Sequence, residues 1–289
     1  MVLMGCVKAF AFFWSLLTSP WVPRERTSIT DNGWFSRYYG WLSEDPRFER
    51  FRRDPAHLVI VEPTPRADAR RHLARVLSQT PGYEVRLERF RAGDAVGAPL
   101  TAEFAPHGRF APDTLRYMRY LSDCEVRFGD LGGAVVVEIG VGYGGACRVF
   151  LERFALARYV LVDLPGPLLM ARRYLTRTLG AARVARDVAF IAAPARGARA
   201  EGLPERSGLA LSTMAFSECD RVVQEGYIDS VLARADRGYL HHNELSGSFG
   251  VRSLTLEELA RRLPGRVKVE DADLTVWDAR DRVVTWETR

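Results

Sequence analysis

Lysine is almost missing from this chain: of 41 basic residues only Lys8 and Lys268 are lysines, and the rest are arginines. The arginines are spread along the chain among 36 acids. That reads as a coding bias and not as a focused phosphate-binding face, so no nucleic-acid partner is expected. Cysteine is scarce too. Cys6, Cys124, Cys147 and Cys219 lie far apart, with no C-x-x-C pair and no metal-finger spacing; this excludes a disulfide scaffold and points to reduced thiols in the cytoplasm. A long apolar run is the third absence. Residues 1–17, MVLMGCVKAFAFFWSLL, are apolar apart from Lys8, short of the roughly 20 residues that span a bilayer. The charge does not precede the apolar stretch and no A-x-A site follows, so export is not expected. This segment is expected to pack on the body of the protein or on a second subunit, without stable membrane insertion. Repeats and low-complexity segments are absent as well.

What remains is a composition of 47% hydrophobic and 27% charged residues in 289 positions. It excludes disordered, fibrous and polytopic membrane proteins, and fits one large domain or a catalytic domain with a cap. Residues 1–110 show no regular alternation of strands and helices, apart from a helix-like stretch near Ala67–Ser78. They are expected to form a mostly helical or irregular cap for substrate binding or homodimerisation. A helix is expected to start at Asp113-Thr114 and to bury Leu115, Met118, Tyr120 and Leu121.

Over residues 111–289 short β-rich runs alternate with amphipathic helices, the mark of a doubly wound α/β sheet. Strands are expected at Ala134–Ile139, Tyr159–Asp163, Val188–Ala192, Leu209–Met214 and Gly238–His242. Helices are expected near Gly145–Phe154, Pro167–Thr178, Asp220–Ala235 and Leu256–Leu263, the last opening on a capping box of Thr255 and Glu258. Leu274–Trp277 and Val283–Trp286 read as a terminal antiparallel hairpin.

The stretch richest in chemistry is VVVEIGVGYGG, Val135–Gly145. Gly140, Gly142, Gly144 and Gly145 let the backbone turn sharply after a strand and approach a ligand, while the next helix offers its N-terminus. The glycines alone also satisfy the dinucleotide fingerprint, so they do not choose between nicotinamide and another nucleoside. Asp163, about 20 residues on, suits ribose hydroxyls in either case. Glu138 two residues before Gly140, the long segment before the motif and the terminal hairpin resemble class I S-adenosylmethionine-dependent methyltransferases, with a Rossmann-like sheet of seven strands.

The wording narrows the resemblance. Pro112–Leu131 (PDTLRYMRYLSDCEVRFGDL), Val136–Phe150, Arg158–Leu175 (RYVLVDLPGPLLMARRYL), Ala215–Asp229 (AFSECDRVVQEGYID) and Arg237–Glu244 (RGYLHHNE) are similar, in this order, to the sugar O-methyltransferase family of polyketide and glycan tailoring. The resemblance implies S-adenosyl-L-methionine as donor, S-adenosyl-L-homocysteine as product, and as acceptor a sugar or glycoside hydroxyl, such as a deoxysugar of a natural product or glycan precursor. It implies that Glu138, Gly140, Gly142, Tyr143 and Gly144 position the methionine end, that Asp163 grips the ribose and that Leu164 lies against the adenine. Tyr143 reads equally as a lid or as packing.

Proton removal falls to His241, His242 or Glu218, placed after the strands whose carboxyl ends should face the acceptor. A neutral imidazole is a suitable proton acceptor at cellular pH. Adjacent strand residues point to opposite faces, so one histidine of the pair is expected at the cleft. Each assignment has a plainer rival: Glu138 as a buried acid satisfied by backbone donors, Asp163 as a structural acid, Glu218 as an acid favourable to the following helix dipole, and both histidines and His107 as satisfied or surface side chains. Glu218, Asp220, His242 and Glu244 carry metal-ligating atoms, but their spacing is weak and no metal is expected. Alternative functions are methylation of a non-sugar hydroxyl or amine, non-catalytic donor binding in an assembly, and nicotinamide-dependent oxidoreduction.

Overall fold

The computed structural model describes residues 27–30, 34–193, 200–273 and 281–288. Before residue 111 the chain forms α1 (Trp34–Leu42), α2 (Pro55–Ile60), α3 (Arg66–Gln79), α4 (Leu87–Arg91) and the two-residue strands β1 (Ala102–Glu103) and β2 (Arg109–Phe110), with short 3-10 turns between. Proline opens α2 at its first position, and the Asp54 carboxylate accepts the amides of Ala56 and His57, satisfying donors that a helix start leaves bare. α3 is amphipathic and buries Ala69, Leu73 and Val76 against α5 (Pro112–Phe128).

The rest is β3 (Val135–Ile139), α6 (Gly145–Arg153), β4 (Arg158–Asp163), α7 (Pro165–Leu179), α8 (Ala181–Asp187), β5 (Val188–Ala192), β6 (Leu209–Thr213), α9 (Arg221–Ser230), β7 (Arg237–His242), α10 (Leu256–Arg262), β8 (Arg266–Asp271) and β9 (Arg282–Glu287). Seven of these strands form one sheet in the order β5-β4-β3-β6-β7-β9-β8. β3 to β7 run parallel, and β9 is antiparallel to both its neighbours. This is the Rossmann-like sheet of seven strands with one reversed strand that the sequence led us to expect. The order reverses between β3 and β4 on one side and β6 on the other, so a crevice opens beyond the carboxyl end of β3, where such sheets bind ligands.

The central strands are apolar on both faces, as parallel strands covered by helices must be. Val136, Tyr159, Leu161, Leu209 and Leu211 share a core with α1, α3, α5, α6 and α7. Val137, Ile139, Val160, Val162, Ala210 and Leu240 pack on the other face with Tyr227, Ile228 and Leu259. α1 approaches the start of α7 so closely that a Cβ on Gly166 would lie 1.8 Å from the carbonyl oxygen of Ser36. The Ser36 hydroxyl accepts the Gly166 amide at 3.0 Å, which satisfies one exposed donor of that helix.

Two sequence expectations need correction. β9 pairs with Arg266–Asp271, not with Leu274–Trp277, which lies outside the described residues. The RVKVED strand is exposed along nearly its whole length, because it is the sheet's edge; its charges suit that position and hide the strand from a hydrophobicity pattern. The helix expected over Asp220–Ala235 ends at Ser230, with a 3-10 turn at Leu232–Arg234. The capping box is formed: the Thr255 hydroxyl accepts the Glu258 amide, and the Glu258 carboxylate accepts the Thr255 amide.

Candidate functional site

β3 delivers Glu138 and then the chain turns. Gly140, Gly142 and Gly144 take φ of 76°, 55° and 88°, where a side chain is strained. Gly140 also faces Ala215 after β6, whose Cβ would be 1.9 Å from a Cβ on Gly140. No other residue fits there. The Asp163 carboxylate at the end of β4 accepts the amides of Val141 (2.6 Å), Gly142 (3.3 Å) and Leu164 (2.7 Å), so it pins the glycine loop to the neighbouring strand. Burial raises its pKa to about 6 against the opposing pull of those three donors.

Two adjoining cavities open at this crevice, of about 100 Å³ and about 150 Å³. Gly140, Asp163, Ala215, Glu218 and Thr30 line both. Glu138, Gly142, Arg116, Tyr117, Thr213 and Met214 line the first. Leu164, Ala193, Thr27, Ser28 and Tyr227 line the second. Of the ten proposed site residues, the structure therefore brings Glu138, Gly140, Gly142, Asp163, Leu164 and Glu218 together around one space.

Glu138 is 1% exposed and accepts the Tyr159 hydroxyl at 2.9 Å, a side-chain partner in place of the backbone donors of its plainer reading. Burial, outweighing that hydrogen bond and helped by Asp163, lifts its pKa to about 8. Glu218 accepts from the side-chain Nδ2 of Asn243 at 2.9 Å. Burial raises its pKa to about 7 despite this donor, with Asp281 adding repulsion. The helix start that competed for Glu218 is occupied by Asp220, whose carboxylate accepts the Val223 amide at 2.9 Å. Met214, next to the crevice, holds φ of 85°, secured where its amide donates to the His241 carbonyl at 2.8 Å and its own carbonyl accepts the Ser217 hydroxyl at 2.6 Å. A non-glycine residue in this conformation costs about 1–3 kcal/mol and is commonest at functional sites.

The expectation that a histidine of the pair reaches the cleft is not met. β7 alternates sides, and His241 turns toward α5, where Nδ1 meets the Tyr120 hydroxyl at 2.9 Å and Nε2 meets Asp281 at 3.1 Å. His242 turns to the opposite face and is 4% exposed; burial, then the neighbouring His241, lowers its pKa to about 4. Neither lines either cavity. Tyr143 is also turned away from the space. It is 1% exposed and donates to Glu62 at 2.7 Å, within a buried set where Arg52 pairs with both Glu62 and Asp94. Glu62 stays well below the usual carboxylate range because Arg52 and His57 overcome its burial. The lid reading of Tyr143 thus gives way to packing: it ties the glycine loop to the N-terminal half. Gly144 serves as the left-handed cap of α6.

The residues the sequence did not point to are those of the N-terminal half. Thr30, Phe35, Ile60 and Val61 line the first cavity beside Arg116 and Tyr117 of α5. Arg116 is paired with Asp113 and donates to the Val61 carbonyl at 2.7 Å. The RYMRY wording of α5 was visible, but nothing in the pattern of residues 27–61 announced a wall of a pocket. Among the described residues, no group of three His, Cys, Asp or Glu side chains is placed to hold a metal ion, and no helix is long and apolar enough to cross a membrane.

No family model matches the chain, and no curated protein matches it. Solved structures do. The pyocyanin biosynthetic protein PhzM is 16% identical with a TM-score of 0.42, over 98% of this chain and 96% of that one. An O-methyltransferase family 2 protein of Planctomyces limnophilus, solved with apigenin, is 16% identical with a TM-score of 0.39, over 55% of this chain and 50% of that one. The methyltransferase domain of bacterial CtHen1 is 14% identical with a TM-score of 0.43, over 60% of this chain and 97% of that one. These likenesses are of outline only.

Proposed function

We propose that the chain is an S-adenosylmethionine-dependent O-methyltransferase acting on a sugar hydroxyl. The observation that carries this reading is the placement of three carboxyl groups, the buried Glu138 and the half-buried Asp163 and Glu218, around one glycine-walled crevice at the switch point of the sheet. A donor with a ribose at one end and an ammonium and sulfonium at the other is suited to such a space. Asp163 would accept a ribose hydroxyl on the lone pair of Oδ1 that its three backbone bonds leave open, Leu164 would cover the adenine, and Glu138 would meet the donor's ammonium. Gly140 and Gly142 would let the methionine portion lie against the backbone.

Methyl transfer is an in-line displacement: the acceptor oxygen forms a bond to the methyl carbon as the carbon–sulfur bond breaks, and the hydroxyl proton leaves. The protein has chiefly to align the two molecules and take that proton. Glu218, which lines both cavities with a pKa near 7, is the base in this reading, oriented by Asn243. Thr30, Thr213 and Glu218 give the first cavity hydroxyl and carboxylate partners, beside Phe35, Ile60 and Val61, a mixture that suits a sugar with polar edges and apolar faces. The sugar itself is supported by the wording of the sequence blocks.

The experiment has two stages. Calorimetric titration with S-adenosylhomocysteine should give binding that Asp163→Ala abolishes; binding retained in that variant would misplace the donor site. Mass spectrometry of products from a panel of glycosides and aglycones should then show a mass gain of one methylene on glycosides only. Methylation confined to aglycones would overturn the sugar assignment.

A further inference from the structure

Residues 27–30 form a bent strap that lies against the loop after β6 and lines the crevice. Ser28 bridges Cys219 in antiparallel fashion, with the Ile29 amide donating to the Glu218 carbonyl at 3.0 Å and the Asp220 amide donating to the Thr27 carbonyl at 2.8 Å. Thr27, Ser28 and Thr30 line the cavity that also holds Asp163, Leu164 and Ala193, and Thr30 reaches the other cavity too. The strap thus covers the ribose and adenine side of the proposed donor site.

The cavities beneath it are small. At about 100 and 150 Å³, the two adjoining cavities taken together still fall short of the roughly 300 Å³ at the lower end of pockets for drug-sized ligands. A nucleoside-bearing molecule needs a wall to move. The inner walls are strand ends inside a seven-stranded sheet and the loop pinned by Asp163. Among the described residues, the strap belongs to no strand of the sheet and is joined to the loop after β6 by an isolated bridge.

We propose that the Thr27–Thr30 strap is a gate that must lift from Cys219 for the donor to bind. This rests on the donor reading above. The bridge supplies its own test. Ser28 and Cys219 face each other as a pair whose flanking residues exchange the backbone bonds, a geometry with Cα atoms about 4.5 Å apart, which is within the reach of a disulfide.

In the full chain carrying Ser28→Cys, mild oxidation should link position 28 to Cys219, verified by mass spectrometry of the joined peptides. The reduced variant sets the reference affinity for S-adenosylhomocysteine against which the oxidised form of the same protein is read. The oxidised form should bind roughly tenfold more weakly or worse, because the competent population is withdrawn, and dithiothreitol should restore binding. Saturating S-adenosylhomocysteine should slow formation of the link. Unchanged binding to the linked protein, or failure of the link to form in the ligand-free variant, overturns the gate. Failure of the wild type and the reduced variant to bind S-adenosylhomocysteine overturns instead the donor reading on which the gate depends.

Discussion

The carboxylate of Asp163 accepts the amide of Val141 at 2.6 Å, so the acid that closes β4 also sets the shape of the loop that closes β3. One side chain joins the two halves of the crevice. Asp163→Asn, which keeps a single acceptor oxygen, should retain the fold while losing part of the loop's restraint, at about 1–3 kcal/mol. Thermal unfolding should show a lowered Tm, and S-adenosylhomocysteine affinity should fall further than the stability change predicts if the same carboxylate grips the ribose.

Glu138 should make donor binding depend on pH. Its folded pKa of about 8 lies above the ordinary 4.5, so at neutral pH the ligand-free site holds a neutral acid, while a cationic donor favours the carboxylate. Binding should release a proton, and affinity should rise with pH by up to about tenfold per unit below pH 8. Calorimetry in buffers of different ionisation enthalpy reads the proton, and Glu138→Gln should flatten the slope. The same shift affects stability with the opposite trend. The folded chain holds the extra proton, so the contribution of Glu138 favours folding below pH 4.5 and is lost as pH rises through 8.

Glu218→Gln separates chemistry from donor binding. With an accepted sugar in hand, turnover should fall by about 10²–10⁴, while S-adenosylhomocysteine binding changes little. The wild-type rate should rise with pH about a midpoint near 7, where Glu218 ionises, and this limb should be absent from the variant. A wild-type limb that persists in Glu218→Gln would assign the proton to another group.

His241 should matter for stability and not for turnover. Its ring joins Tyr120 of α5 to Asp281 beside β9, and removing it leaves buried polar partners unmatched. His241→Ala should lower Tm by an amount worth about 1–3 kcal/mol, with kcat of the folded protein close to wild type. A collapse of kcat without loss of Tm would return His241 to the chemistry.

Gly166→Ala tests the seat of α1 on α7. A Cβ there meets the Ser36 carbonyl at 1.8 Å, so the helices must separate. Overpacking of this kind costs about 1–3 kcal/mol, read as a lower Tm. Because Phe35 lines the first cavity, S-adenosylhomocysteine affinity should fall as well.

Much of the sheet was legible because its signals are local. Apolar runs of β-branched residues, the glycine turn after Glu138 and the acid after β4 each depend only on neighbours in sequence. Where charge replaced the apolar signal, as in Arg266–Asp271, the strand was invisible, since an edge strand needs no buried face. The histidines misled for a related reason. Their residue type suits proton transfer, but which way a strand residue points depends on what the sheet packs against.

The sequence by itself determined that the chain is an α/β protein with a glycine-walled turn after Ile139, because backbone turns and strand ends are dictated by glycine and by hydrophobic period. Only tertiary packing decided that Glu218 and not a histidine faces the crevice, that Tyr143 anchors the loop to Glu62, and that Thr27–Thr30 and Ile60–Val61 wall the pocket. Those residues meet across long stretches of chain, and burial, which fixes both their direction and their proton affinity, exists only once the elements have packed.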